Sequence, residues 1–338
     1  MEPVGAEIDD FDYPLKQAQI AQRPADPRDS ARLLDARDLR EVRDHTVADL
    51  PDLLMPGDVL VVNNTKVRRA RLRLRKETGG AAEVLLLAPT GDPGLWTALV
   101  KPSRRLPTGT VLFDGSAPVV ELVDEMDGTR LVRILDQAQV ERVGVLPLPP
   151  YIRSQPEDPD RYQTVYAQRP GSVAAPTAGL HFTDGLIQRC REAGAAIATV
   201  DLEVGLGTFA PVTAERLDDH VMHSERFTVA PGAWSSIVAA DRVVAVGTTV
   251  VRTLETVAAT GSMSGTTDIF IRPGFQWKVV DLLLTNFHMP RSTLLVLVEA
   301  FIGPDWRELY AAAIDRGYSV GSFGDAMLLD RHPPREVG

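Results

Sequence analysis

The chain of 338 residues has one cysteine, Cys190, which excludes an internal disulfide framework and fits a reducing compartment. Cys190 falls in an expected helix with no base nearby in sequence, so it reads as a packing residue. Long apolar runs are missing too, and the acidic start MEPVGAEIDDFDYPL lacks the basic segment and apolar stretch of a secretory signal. The expectation is a cytoplasmic protein with no membrane partner. No GxxxxGK[ST] phosphate loop is present, so the motifs give ATP-driven chemistry no support. Positive charge is scarce overall. A net charge of −10 argues at first sight against a nucleic-acid partner, because phosphate contacts need Lys and Arg.

The average hides a local concentration. Segment 61–110 carries ten Lys or Arg against three acids, which makes it +7 and leaves −17 for the remainder. Within it, Arg71-Leu72-Arg73-Leu74-Arg75 alternates with period two, so a strand there buries two leucines and presents three guanidinium groups on its other face. Short apolar runs follow at 84–87, 96–100, 110–113, 119–123 and 131–134, separated by Gly, Pro and Asp turns. They predict a small all-β unit, a barrel over 64–146, closed off by the stiff join Leu146-Pro147-Leu148-Pro149-Pro150.

The rest of the chain has a different texture. Thr183 is placed to cap a helix over 184–193 ended by Gly194, and 198–204 then alternates like a half-buried strand. A strand at 243–246 leads through Gly247-Thr248-Thr249 into a helix over 250–260, and helices are expected at 294–302 and 306–316. The apolar segment 56–63 reads as a buried strand that joins this later sheet. The fold class is therefore α/β: a mixed main domain made of 1–63 and 147–338, with the barrel 64–146 inserted.

Several polar groupings could carry chemistry. Gly205-Leu206-Gly207-Thr208-Phe209 follows a strand but lacks the third glycine of a dinucleotide fingerprint, and a glycine turn explains it equally well. Asp218 to Glu225 gathers two histidines and three acids, open to acid/base work, substrate contact, a polar turn or a metal, although it is not the HExxH pattern of a zinc helix. Gly247-Thr248-Thr249 offers backbone N–H groups at a helix start, where anions settle, and Arg252 and Glu255 share one helix face. Polar stretches at 285–292 and 321–327 flank strongly apolar sequence, the usual place for site residues.

The run GSVAAPTAGLHF at 171–182 resembles the signature of the S-adenosylmethionine:tRNA ribosyltransferase-isomerase family of queuosine biosynthesis. Similarity continues in PRDSARLL at 27–34, PGDVLVVNNTKV at 56–67, ETGGAAEVLLL at 77–87, DRYQTVYA at 160–167 and VGLGTF at 204–209. It extends through HVMHSE at 220–225, VGTTVVRTLE at 246–255, TDIFIRPG at 267–274, LLTNFHMPRSTLL at 283–295 and GDAML at 324–328. The resemblance implies a mixed α/β main domain interrupted by an antiparallel β-barrel, and transfer and isomerisation of the ribosyl part of S-adenosylmethionine onto 7-aminomethyl-7-deazaguanine in a tRNA anticodon loop. Epoxyqueuosine forms, and adenine and methionine leave. It implies no metal and no separate cofactor, since S-adenosylmethionine is a substrate.

On the matching positions, the resemblance implies proton transfer by His181, His223 and His288, and cation contact or base action by Glu225, Asp268 and Asp325. Substrate contacts are implied for Arg161, Tyr162, Gln163, Tyr166, Ser172, Ala175, Pro176 and Thr177, and for Gly205, Gly207 and Thr208. The same holds for Thr248, Arg252, Glu255, Asn286, Arg291 and Ser292. Arg71, Arg73 and Arg75, with Arg104 and Arg105, would hold the tRNA backbone. No heptad forces an oligomer, so a monomer is expected.

Departures from the family pattern are Asn64 where Asp is usual, Lys66 for Arg, Glu203 for His, Ala210 for Arg and Val250 for Ser. They keep open a paralogue that applies the same chemistry to a small free acceptor. A non-catalytic RNA-binding module is a third reading.

Overall fold

The structure, a computed structural model, describes residues 7–126, 128–205, 212 and 214–332. The chain forms two compact units, one of Met1–Lys66, Pro149–Arg169 and Ala175–Gly338, the other of Val67–Leu148 with Pro170–Ala174.

The larger unit is built on a nine-stranded sheet. Four neighbouring strands, Ala196–Leu202, Asp58–Asn63, Arg242–Val246 and Leu282–Asn286, run parallel. Ala326–Asp330 returns antiparallel beside the last of them, with Ala326 opposite Asn286. On the other flank Glu225–Val229 runs antiparallel to Ala196–Leu202, and Ser264–Thr267 pairs with it. Arg32–Ala36 and Arg43–Thr46 complete the far side. All six residues of Asp58–Asn63 are buried, which suits a central parallel strand covered on both faces. Leu60 and Val62 join Leu33, Val244, Leu284 and Leu328 in a core with Phe182, Leu186 and Cys190. Val59 and Val61, of opposite parity, are equally buried on the other face.

Local sequence explains the elements around the sheet. Thr183 caps the helix Asp184–Glu192 by accepting from the Leu186 N–H at 3.0 Å. The helix expected from Val250 begins at Thr248, because Gly247 turns the chain at φ +91°, a value glycine tolerates without strain. Both threonines thus stand in the helix's first turn. Cys190 is enclosed in the core, and burial pushes its thiol up to about 11, which leaves it inert.

The smaller unit closes six antiparallel strands into a barrel in the order Thr129–Ile134, Leu95–Lys101, Ala81–Pro89, Arg71–Lys76, Val111–Asp114, Ala117–Met126. Most of its strands run longer than their apolar runs suggest, the longest being Ala117–Met126 against the run 119–123. Leu72 and Leu74 point into the barrel while Arg73 and Arg75 are exposed. The mixed α/β class with an inserted barrel is what the sequence texture implied, and the barrel is antiparallel, as the family resemblance implied.

Candidate active site

The parallel strands end at one edge of the large sheet, the edge at which sheets of this kind bind ligands. Asn63, Gly205, Thr248, Asn286 and His288 follow or end those strands, and Glu225 and Asp325 begin or precede the antiparallel ones. Residues far apart in sequence therefore meet there.

His181 lies in the turn Thr177–His181, and its Nε2 is 3.0 Å from Asn286 Nδ2. Asn286 Oδ1 accepts from Thr177 Oγ1 at 3.1 Å, and Nδ2 also reaches the Gly324 carbonyl at 3.3 Å. Burial drives the His181 pKa down to about 4, with Asp325 opposing the shift and Arg28 adding to it. Arg28 braces this turn by donating to the carbonyls of Leu180, Gln163 and Asp160. Gly179 is required at its place, since a Cβ there would stand 2.1 Å from the Tyr166 hydroxyl oxygen. Tyr166 thus contributes by shaping that turn, and burial raises its pKa.

His288 has its Nε2 3.1 Å from Thr285 Oγ1, and burial alone pushes its pKa down to about 3. Its backbone is held on both sides: the carbonyl accepts from Tyr13 Oη at 2.6 Å, and the N–H donates to Tyr310 Oη at 3.1 Å. Its ring borders a cavity of about 20 Å³, room for one water-sized group, shared with Ala175, Pro176, Thr177, Thr248 and Thr249. A second cavity of that size adjoins it at Thr248 and Thr249 and reaches Arg252 and Phe270.

Other expected site residues have different duties. Glu225 is buried, and its carboxylate accepts from the Gly205 N–H at 2.7 Å and from Arg252. Glu255 does not face Arg252 or the cleft. Its side chain is completely buried and accepts from the N–H groups of Lys278, Val279 and Val280, a structural anchor. Asp325 is likewise committed, to the N–H of Arg32 and to the N–H and hydroxyl of Ser319, so its influence on His181 is through charge. Tyr162 is in the core against Phe323, out of reach of a substrate. Arg161 pairs with Asp26 at 3.0 Å, and Gln163 gives its carbonyl to Arg28. Ser292 caps the helix Thr293–Ile302, and Arg291, at φ +55°, pairs with Asp9. His223 and Asp268 are exposed, apart from the two buried imidazoles. Ser172 is buried within the smaller unit. Gly207 and Thr208 lie outside the described residues, as does Ala210. Among the described residues no group of three His, Cys, Asp or Glu could hold a metal, and His220 packs its ring edge against Phe270.

In the barrel, Arg73, Arg75, Arg104 and Arg105 are exposed, while Arg71 is half-buried, 4.0 Å from Glu83. Sequence reasoning passed over Asn63 and Arg28 as site residues and took Thr285 only as part of a polar stretch. Asn63 is fully buried and ties two strand ends together, donating to the Leu202 carbonyl and accepting from the N–H groups of Leu202 and Thr65. An amide closing the apolar run VLVV was the available signal, because a buried amide must be satisfied.

A sheet edge bearing two buried, uncharged imidazoles among threonines and an amide, carried with a basic barrel, defines an enzyme whose site manages hydrogen bonds and protons. The chain belongs to the family described as queuosine biosynthesis protein, whose model matches residues 8–329. It is 52% identical over 325 residues to the S-adenosylmethionine:tRNA ribosyltransferase-isomerase of Rubrobacter xylanophilus, covering 95% of this chain and 97% of that one. Identity to the enzyme of the same name from Thermus thermophilus is 48% over 346 residues, covering 95% and 99%. The crystal structure of an S-adenosylmethionine tRNA ribosyltransferase from Thermotoga maritima matches with a TM-score of 0.55 and 35% identity, over 94% of this chain and 99% of that one.

Proposed function

We propose that this chain transfers and isomerises the ribosyl moiety of S-adenosylmethionine onto 7-aminomethyl-7-deazaguanine in tRNA, giving epoxyqueuosine with release of adenine and methionine. The observation that carries the reading is a family match through both units, with half of the positions identical to relatives named for this reaction.

The chemistry suits the site. A sulfonium acidifies the adjoining 5′ carbon, so a neutral base can remove a proton there, and the departing adenine needs a hydrogen-bond donor at a ring nitrogen. His181 and His288 are the groups assigned to these tasks, because they are the two imidazoles buried at the sheet edge, each in hydrogen-bond contact with a residue of the strand Leu282–Asn286. Glu225 holds the Gly205 N–H and pairs with Arg252. In this reading the catalytic part is 1–63 with 147–338, and the part 64–146 docks the tRNA backbone through Arg71, Arg73, Arg75, Arg104 and Arg105. The enzyme works as a cytoplasmic monomer without a separate cofactor or a membrane partner. Among the described residues no helix is long and apolar enough to cross a membrane.

Adenine release from S-adenosylmethionine, followed by chromatography, tests the reading with tRNA carrying the aminomethyl base, with the free base, and with neither. Release that depends on the modified tRNA is expected. Release with the free base alone would point instead to a small acceptor, and tRNA binding without any release would point to a binding module.

A further inference from the structure

The amide of Asn286 touches three groups, and one of them, the Gly324 carbonyl, fixes its orientation and with it where His181 carries its proton. The Gly324 carbonyl can only accept, so the amide atom 3.3 Å from it is Nδ2. The other amide atom is then Oδ1, and Thr177 Oγ1, 3.1 Å away, can donate to it. Turning the amide around would set its oxygen against the Gly324 carbonyl, two acceptors face to face. The same Nδ2 stands 3.0 Å from His181 Nε2. Both amide hydrogens are then used, one on Gly324 and one on the ring, and a ring nitrogen that accepts carries no proton.

We propose that Asn286 is a positioning residue that holds His181 as the neutral Nδ1–H tautomer, so that Nδ1 is the ring nitrogen able to donate a hydrogen bond in the reaction and Nε2 does not serve as the base. Its consequence for catalysis rests on the ribosyl-transfer reading; the tautomer does not. When the bond to adenine breaks, its electron pair stays with the adenine ring, and a fixed N–H donor stabilises the nitrogen that gains charge. Arg28 anchors the Leu180 carbonyl beside His181, which keeps the ring's backbone in place while the amide sets its protonation. Thr177, from the same turn, in turn orients the amide. The base for the 5′ carbon is then a different group, and His288 is the buried imidazole left for it.

The test is nitrogen NMR of the full chain labelled with 15N-histidine, in which two-bond couplings separate the tautomers and H181Q identifies the His181 signals. Wild type should show Nδ1–H at His181. Asn286→Asp, whose carboxylate can only accept, should move the proton to Nε2 and slow adenine release by about 100-fold, while KM for S-adenosylmethionine changes by less than about threefold. Thr177→Val should keep the tautomer and lose less than about tenfold in rate, since it removes only the donor to Oδ1. An Nε2–H tautomer in wild type, which needs no variant to fold, would overturn the proposal. So would Asn286→Asp releasing adenine within about threefold of wild type. An Nδ1–H tautomer in a protein that releases no adenine with any acceptor would leave the assignment standing and sink the reaction reading instead.

Discussion

The two buried histidines carry the residue-scale energetics. Each has an ordinary pKa of 6.5 and a folded value near 4 for His181 and 3 for His288. Below 6.5 the unfolded chain takes up a proton at each position that the fold refuses until the lower value is reached, so acid favours unfolding. Their contribution is constant above about pH 7 and falls by roughly 1.4 kcal/mol per pH unit per group as pH drops through that window. His288→Gln, a neutral side chain of similar reach, should therefore lose less stability than wild type between pH 7.5 and about pH 5. Urea midpoints at the two pH values check this. Equal losses in both proteins would mean that His288 is protonated inside the fold.

At the scale of elements, the helix Thr248–Thr260 does two jobs from one sequence. Its start brings Thr248, Thr249 and Arg252 to the cavities, and its third turn fastens the approach to Leu282–Asn286 through Glu255. Sequence spacing placed Arg252 and Glu255 on one face, which is correct for a helix, yet each found a partner on another strand or loop. Three buried N–H groups depend on the Glu255 carboxylate. Glu255→Ala should cost about 3 kcal/mol or more, because it leaves buried donors unpaired, whereas Glu255→Gln keeps an acceptor and should cost less. Thermal unfolding of the two variants reads the difference directly, and a melting temperature for Glu255→Ala equal to wild type would refute the anchoring role.

At the scale of the whole molecule, charge is partitioned: net −10 overall, with +7 concentrated in residues 61–110. The proposed grip of this patch on tRNA phosphates is sequence-blind, and counterion release would make it salt-dependent. Reversing Arg71, Arg73 and Arg75 together to Glu should weaken tRNA binding steeply and flatten the log–log dependence on salt by about two units. Filter binding across a salt series measures both. An unchanged affinity would move the docking surface elsewhere, to Arg104 and Arg105 or off the barrel.

Three strands of the large sheet, at 56–63, 198–204 and 243–246, four of its helices, the barrel with its basic strand, and the motifs of family membership were legible in the sequence, because periodicity and short contiguous motifs are local; the other six strands of the sheet were not read. Strand Asp58–Asn63 could be read as buried from VLVV alone, and Thr183 as a cap from its position. Partnerships were decided only by the tertiary structure. Glu225 finds Arg252 and Gly205, Asn286 joins His181 to Thr177, and Asp325 spends its carboxylate on backbone. Motif position marks such residues without saying what they touch, since hydrogen bonds form between groups that folding brings together from separate strand ends. Burial, which lowers both histidine pKa values, is likewise a property of the packed surroundings and not of the residues that carry it.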